Sequence, residues 1–477
     1  MSDYIEFTNR ENDSLFRLIG QVASDLHFPA FVVGGFVRNF FLNRNSKDID
    51  IVCVGNGILL AESVASQLHP SPKVATYSRF GTAMFRYKDI EVEFVGARKE
   101  SYSANSRNPA VENGTLEDDQ RRRDFTMNTL AFSLNPVDFG RFIDVFGGLS
   151  DLHMGLIRTP LDPGITFSDD PLRMLRAIRF ATQLDFKLSE DTLAAISRYK
   201  ERISIVSKER IAAELNKIIL SEKPSIGFLH LFESGMLQVI LPEMVLLHGV
   251  DSRNGKAHKD NFFHTLQVLD NVAQVSHNLW LRWAAIMHDI AKPQTKRWQP
   301  EIGWSFHGHE VLGAQMTYSL FKQLKLPMDQ KMKYVQKLVR LHLRPISLTK
   351  ENITDSAIRR LIVDAGDDLD DLMVLCKADI TSKNSSKVKR YLENYSLVME
   401  RIQEVDSKDN LRNWQPPITG EIIMDTFGIG PSREVGIIKT AVREAILDGL
   451  IPNTYEEAYP FMLKQGRELG LSPKVVE

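Results

Sequence analysis

The stretch DIDIVCV at 48–54 decides how the N-terminal part of this chain is read. It alternates strictly, and in a β-strand residues i and i+2 point to the same side. Asp48 and Asp50 therefore share one face, while Ile49, Ile51 and Cys53 share the other and belong to a core. Two carboxylates side by side are costly unless something positive neutralises them. A divalent cation such as Mg2+ does this while also bridging to phosphates. A bare Asp-x-Asp pair is more often decoration at a strand end, so its neighbours must carry the argument.

Upstream, 30–33 reads as a strand running into Gly34-Gly35 and then a helix with Arg38 in its first turns. Backbone N–H groups at such a turn can cradle a triphosphate, and a guanidinium can reach its oxygens. Downstream, 74–77, 82–87 and 91–95 read as three more strands. Glu93, on the last of them, is either a third carboxylate of the site or a surface glutamate. Leu15, Ile19, Val22 and Leu26 stand at helical spacing and give an opening amphipathic helix. The expectation is a small mixed α/β head ending near residue 155.

Two charged motifs follow. RRRDFTMN (121–128) lies beside the acidic patch Glu117-Asp118-Asp119, and Asp124 and Asn128 are one helical turn apart. DDPLRMLR (169–176) opens a helix, with Asp169 and Asp170 where the helix dipole favours anions and Pro171 in the first turn. Capping explains these acids. It does not explain Arg173, Arg176 and Arg179, three cations near the positive end of the same helix.

Beyond 168 the periodicity is helical, at 170–183, 189–199, 207–220 and 224–237. Residues 249–260 read as a polar linker, and 262–402 as a second helical block. In 410–477, Pro416-Pro417 and Gly428-Ile429-Gly430-Pro431 are turn signals, each followed by a helix-like run.

A chain of 477 residues exceeds one compact core, so two to four domains are expected. The formal net charge is -2, so any nucleic-acid surface must be local. The stretch 173–217 holds ten Lys/Arg against six Asp/Glu and is the candidate track for RNA phosphates, with Arg179, Lys208 and Arg210 as contacts. Two cysteines, Cys53 and Cys376, permit neither a disulfide framework nor a CxxC zinc pattern. The acidic N-terminus is not read as a signal peptide, and no run of eighteen apolar residues occurs. A cytoplasmic protein without a membrane segment or an obligatory protein partner is expected.

Eight of the twelve histidines fall between 248 and 342. His288-Asp289 sits in an apolar helix, LRWAAIMHDIAK (281–292), and such a pair is costly to bury unless paired or ligating. His264, His309, His342 and Asp379 each lie in a predicted helix of their own or at its start, so several helices can converge on one centre. Lys292, about one turn after Asp289, is placed to contact a phosphate, and His307 reads as a bystander.

The set GGFVR (34–38), DIDIV (48–52), FGT (80–82), RRRDFTMN, DVFGGLSDL (144–152) and DDPLRMLRAIRF (169–180) resembles class II tRNA nucleotidyltransferases, a superfamily shared with bacterial poly(A) polymerases. The resemblance implies that Asp48 and Asp50 bind metal, that Gly34, Gly35 and Arg38 hold the triphosphate, and that Arg123, Asp124 and Asn128 recognise the ribose. Arg121 and Arg122 fall just before that core pair. Asp170 and Arg173 match a protein template for the incoming base, with Arg176 adding a contact. Cytosine and adenine both carry an amine on the Watson–Crick edge. A carboxylate can accept from it while an arginine donates to the neighbouring ring nitrogen, and each mispaired buried group costs about 1–3 kcal/mol. The chain departs from the family pattern at Asp169, where Glu is usual, and at Gln120, where an apolar residue is usual.

The order His, His-Asp, His, His, Asp over about 260–385 resembles HD-domain phosphohydrolases, also fused to some bacterial CCA-adding enzymes. This implies one divalent metal on His264, His288, Asp289 and Asp379, and a second through His309 and His342. Imidazole with carboxylate suits several divalent transition metals, and spacing does not choose among them. The tail resembles the segment that follows such HD domains, where its glycine turn either grips RNA backbone or packs.

The fold expected is α+β: a nucleotidyltransferase head (1–155), an all-α neck and body (156–250), an all-α HD domain (260–402) and a helical tail (403–477). The function implied is addition or repair of the tRNA 3′-terminal CCA from CTP and ATP with Mg2+. Alternatives are a poly(A) polymerase, an enzyme adding only A or only CC, and an HD phosphohydrolase with an RNA-binding head.

Overall fold

Alternation and periodicity fold the first unit, which ends at Val245; a second runs from Leu246. The computed structural model describes residues 12–78, 81–103, 106–348, 354–381, 384–409 and 416–474. Phe80 of FGT and residues 411–415 of the tail lie outside these.

The opening helix α1 (Asp13–Asp25) buries Leu15, Phe16, Ile19 and Val22. β1 (Ala30–Val33) is wholly buried and runs into α2 (Gly35–Phe41). β2 (Asp48–Cys53) buries Ile49 and Ile51 while Asp48 stays exposed, as its alternation requires. α3 (Gly57–Gln67), β3 (Ala75–Tyr77), β4 (Thr82–Tyr87) and β5 (Ile90–Gly96) follow. A hairpin, β6 (Arg98–Ser103) and β7 (Ser106–Asn113), precedes α4 (Leu116–Arg121), β8 (Ala131–Ser133), β9 (Phe142–Ile143) and α5 (Gly148–His153). Seven strands form one sheet in the order β3-β4-β5-β2-β1-β8-β9, and only β2 and β5 pair in parallel.

The rest of this unit is helical apart from a two-residue parallel pair, β10 (Leu156–Ile157) and β11 (Lys187–Leu188). α6 (Pro163–Asp169) leads into α7 (Leu172–Leu184), then α8 (Glu190–Tyr199) and α9 (Lys208–Ile219). The single helix expected at 224–237 is broken. Gly235 adopts φ +74°, ending α10 (Pro224–Glu233) and starting α11 (Met236–Ile240), before α12 (Pro242–Val245).

The second unit is not all helix. The expected linker contains a hairpin, β12 (Ser252–Arg253) and β13 (Lys256–Ala257), and a second hairpin interrupts the helical block. α13 (Asn261–Ala273), α14 (Leu279–Met287) and α15 (Lys292–Thr295) precede that hairpin, β14 (Arg297–Gln299) and β15 (Gly303–Ser305). α16 (His309–Leu324), α17 (Gln330–Leu341), α18 (Arg344–Ser347), α19 (Asp355–Ala365), α20 (Leu369–Asp379) and α21 (Ser385–Asp409) follow. The tail has three helices where two turn signals pointed to two: α22 (Gly420–Phe427), α23 (Arg433–Leu447) and α24 (Tyr455–Glu468). They enclose Ile423, Phe427, Ile438, Val442 and Met462. Strands of two or three residues are too short to show a period, so the sequence reading passed over them. Among the described residues no helix is long and apolar enough to cross a membrane.

The head packs tightly where α1 crosses the sheet. A Cβ on Gly20 would stand 1.9 Å from the Leu134 carbonyl oxygen. Gly20→Ala is therefore expected to destabilise the protein by about 1–3 kcal/mol through overpacking. Urea denaturation measures it, and an unchanged midpoint would contradict this packing.

Candidate functional site

The strand registers gather the acidic residues of the head. Asp50 pairs with Glu93 across the parallel β2–β5 ladder, and with Val33 on the other side. Asp48 pairs with Glu91 in the same ladder. Four carboxylates thus line one face of neighbouring strands, and Glu93 stands beside the Asp48–Asp50 pair. Burial pushes the Asp50 carboxyl above its ordinary value; Arg123 opposes the shift and Asp48 adds to it. Glu93 is also raised, by burial and then by Asp50.

Gly34 meets this face. It caps α2 with φ +75°, and a Cβ there would lie 2.9 Å from Asp50 Oδ2 and 3.0 Å from Arg123 Nη1. Only glycine fits both the backbone and the space. The start of α2, from Gly35, presents the N–H end of a helix next to the carboxylates.

Arg38 connects this turn to the second motif. Its Nη1 donates to Asn128 Oδ1 at 2.8 Å, and Asn128 Nδ2 donates to Asp124 Oδ1 at 2.9 Å. Arg176 closes the chain through two hydrogen bonds to Asp124 Oδ2, at 2.9 and 2.6 Å. Against the upward push of burial, Arg176 and Asn128 hold the Asp124 carboxyl down to about 2. Arg38 is lowered to about 10, by burial first and then by the neighbouring cations Arg179, Arg44 and Arg176, with Asp124 opposing. Such a concentration of guanidinium charge is a ready site for phosphate oxygens.

Arg123 is held by Asp119, whose buried carboxylate accepts from its Nε at 3.0 Å and also pairs with Arg122. Sequence reasoning saw Asp119 only as part of an acidic patch, although its i+4 spacing from Arg123 was the signal. Gln120 is wholly buried; its amide N–H donates to the Thr129 carbonyl at 2.6 Å, while its Oε1 meets no donor among the described residues. DVFGGLSDL secures the same region: Thr126 donates to Asp151 at 2.7 Å, and Asp144 accepts from the N–H groups of Gly148 and Leu149.

Just before α7, whose first flanking residue is Pro171, Asp170 Oδ1 accepts from the Leu172 N–H at 3.1 Å. Asp169 instead ends α6, so it does not belong to the start of α7. Arg173 donates to the Arg122 carbonyl at 2.6 Å, and Arg210 pairs with Asp170 at 3.3 Å. Arg179 corrects an expectation. It is buried, donates to Glu214 at 2.5 Å and lies 3.9 Å over the Phe180 ring, so it braces α7 against α9 rather than facing RNA. Lys208 is half-buried in the first turn of α9.

In the second unit the six expected ligands come together from helix ends. His264, His288 and Asp379 form one cluster and Asp289, His309 and His342 another, with ligand atoms within 4.8 Å of one another in each. Asp289 reaches both, its Oδ2 standing 3.2 Å from His288 Nε2 and its Oδ1 3.3 Å from His309 Nε2. The Nδ1 atoms of His288, His309 and His342 lie 2.6–2.7 Å from the carbonyls of Ala285, Phe306 and Val339. A carbonyl only accepts, so each Nδ1 carries a proton and each Nε2 is turned towards the centre, where its deprotonated form can ligate a cation. His309 and His342 Nε2 face each other at 3.3 Å. Burial, with His288 nearby, pushes the His342 imidazole down to about 3. Against burial, His288 and Lys292 hold Asp289 well below the carboxylate range, and Lys292 bonds to it at 2.5 Å. An inward ring of acceptors fits divalent cations. His307 is exposed, in line with a bystander.

Comparison with known proteins agrees with this layout. Residues 30–158 match the poly A polymerase head domain, 185–247 the probable RNA and SrmB-binding site of polymerase A, and 261–381 the HD domain. The A-adding tRNA nucleotidyltransferase of Deinococcus radiodurans is 32% identical over 92% of this chain and 97% of its own. The CC-adding tRNA nucleotidyltransferase of Thermus thermophilus is 30% identical over 93% and 95%. Two other A-adding relatives are longer, and the chain spans 28% and 19% of their lengths. A solved CCA-adding enzyme in complex with CTP shares the fold, with a TM-score of 0.63 at 20% identity over 97% of this chain and 96% of that one. The poly A polymerase head and HD matches, with relatives aligned end to end, put the chain among nucleotidyl-transferring enzymes. It belongs to the tRNA nucleotidyltransferase family.

The Asp124–Arg176 pair gives a pH test. Asp124 titrates at about 2 in the folded protein against an ordinary 3.8, so its stabilisation is complete above about pH 4 and is lost as pH falls towards 2. Asp124→Asn is expected to cost roughly 3 kcal/mol near neutrality. The gap to wild type should narrow between about pH 4 and 2. A gap in urea denaturation that stays constant over that range would refute the pairing.

Proposed function

We propose that this chain adds nucleotides to the 3′ end of tRNA, using CTP and ATP to build or repair the terminal CCA. The observation that carries the reading is the register that sets Asp50 beside Glu93 and under the Gly34 turn. Asp48 and Asp50, with Glu93, are the residues that would hold Mg2+. Bound there, the ion would neutralise phosphate charge and favour ionisation of the attacking hydroxyl.

The remaining steps fall to the chain's own residues. The start of α2 and Arg38 hold the triphosphate. Asn128 and Asp124 orient the ribose, and Arg123 keeps positive charge beside Asp50. Asp170 accepts from the exocyclic amine of C or A while Arg173 donates to the ring nitrogen. The RNA 3′-oxygen bonds to the α-phosphorus as the bond to pyrophosphate breaks. No side chain of the protein becomes covalently attached, and positioning with charge stabilisation supplies the acceleration. We place this chemistry in the cytoplasm, consistent with two free, buried cysteines.

A narrower second reading, addition of A alone or of CC alone, is favoured by the end-to-end match to relatives that carry those names. Incubation with tRNA ending before, within and just short of CCA, with each nucleotide alone, separates the readings. Growth from all three ends supports the full activity, growth only from the end just short of the final A supports addition of A alone, and growth only from the other two supports addition of CC alone. Long runs from ATP alone would overturn both. Asp50→Ala is expected to lower extension by at least about a thousandfold, and near-normal extension would remove Asp50 from the site.

For the HD centre we propose two divalent transition-metal ions, one on His264, His288 and Asp379 and one on His309 and His342, with Asp289 between them. Phosphohydrolase chemistry is the activity such a centre supports. Metal analysis of the purified protein is expected to find HD-site metal that Asp289→Ala loses while Asp50→Ala keeps it. Equal content in wild type and Asp289→Ala would refute the assignment.

A further inference from the structure

A cavity of about 380 Å³ lies against the His264 and Asp379 side of the HD centre. Leu343, Ile346 and Met373 give it an apolar lining, and His258, Lys259, Lys292 and Phe306 give it charge and rings. From here a file of rings continues along the two hairpins. His258 stands 5.7 Å from Phe306 and 5.9 Å from Trp304, and Trp304 stands 5.1 Å from Trp298. Cations accompany the file: Lys292 lies 5.6 Å over Phe306, Lys296 4.8 Å over Trp304 and Arg253 5.3 Å over Trp298. Arg253 and Arg297 are exposed, and the three large rings are half-buried.

Neither hairpin supplies a ligand to the metal clusters, so the HD reading leaves them unexplained. Residues 249–260 and 292–307 together carry six Lys/Arg against three Asp/Glu, in a chain of net charge -2. Lys296 and Asp251 engage each other and Lys292 is held by Asp289, so the exposed Arg253 and Arg297 are cations that face solvent for phosphates. The Trp304 Nε1 donor is buried without an acceptor among the described residues. Rings interleaved with cations bind single-stranded nucleic acid, because bases stack on the rings while the cations follow the phosphates. A mononucleotide would need the cavity alone; the file of rings beyond it suits a strand.

We propose that the β12–β13 and β14–β15 hairpins form a docking track for a single-stranded RNA end and lead it to the cavity beside the HD centre. The track stands on its rings and cations; only its destination rests on the metal reading given above.

The test uses the full chain and hexauridylate carrying a 5′ fluorophore and a 3′-terminal 4-thiouridine. Photo-crosslinks are expected in peptides covering 249–260 or 297–306. Trp298→Ala and the exposed-site variant Arg297→Glu are each expected to weaken binding by about tenfold by fluorescence anisotropy. Extension of tRNA by the head should stay unchanged in both. Crosslinks confined to residues 30–217, or binding by both variants within about twofold of wild type, would overturn the track. Competition by uridine monophosphate as strong as by unlabelled hexamer would also overturn it, in favour of a mononucleotide pocket. Crosslinks on the hairpins of a protein that holds no metal at the HD cluster would support the track and sink the metal reading alone.

Discussion

One buried carboxylate, Asp124, ties the nucleotide site together. It accepts from Asn128, from the Phe125 N–H and twice from Arg176. Through Asn128 it reaches Arg38 on the helix that follows the Gly34 turn beside Asp50. Through Arg176 it reaches α7, which begins just after Asp170 and carries Arg173. A charge this deep is stable only with its partners in place, so the carboxylate fixes the head and α7 in one arrangement.

The two candidate centres solve opposite electrostatic problems. In the head, guanidinium groups crowd near Arg38 while carboxylates crowd on β2 and β5. Each excess would be relieved by what a nucleotide carries, phosphates for the first and a phosphate-bound cation for the second. The HD centre has no such mixture at its middle. Backbone carbonyls hold the outer nitrogens of three imidazoles, leaving their Nε2 atoms and the carboxylates facing inward. Only positive charge satisfies that arrangement, and Lys292 supplies part of it.

Much of the candidate site was legible in the sequence because its signals are local. DIDIVC gives its two faces by alternation alone, and the glycine turn, RRRDFTMN and DDPLRMLR are contiguous. The candidate HD ligands were legible as an ordered series, falling in successive helices or at their starts. What escaped had no period or sat far away. The short hairpins at 252–257 and 297–305 lack a period. Asp119 looked like one acid among three, and its burial under Arg122 and Arg123 singles it out. Arg179 looked like its helix neighbours Arg173 and Arg176, but Glu214, 35 residues further on, captures it.

The sequence by itself determined the class of the long segments, the face of β2 that carries Asp48 and Asp50, and the candidate residues for holding metal. Spacing along one element decides these, since 3.6-residue and 2-residue periods are built into the backbone. Tertiary structure decided the rest. Glu93 joins the carboxylate face because β5 pairs in parallel with β2 at that register, which a one-residue slip would have reversed. Asp289 stands between two histidine clusters because several helix ends converge on it. Both depend on contacts between residues distant in sequence, and no local period encodes them.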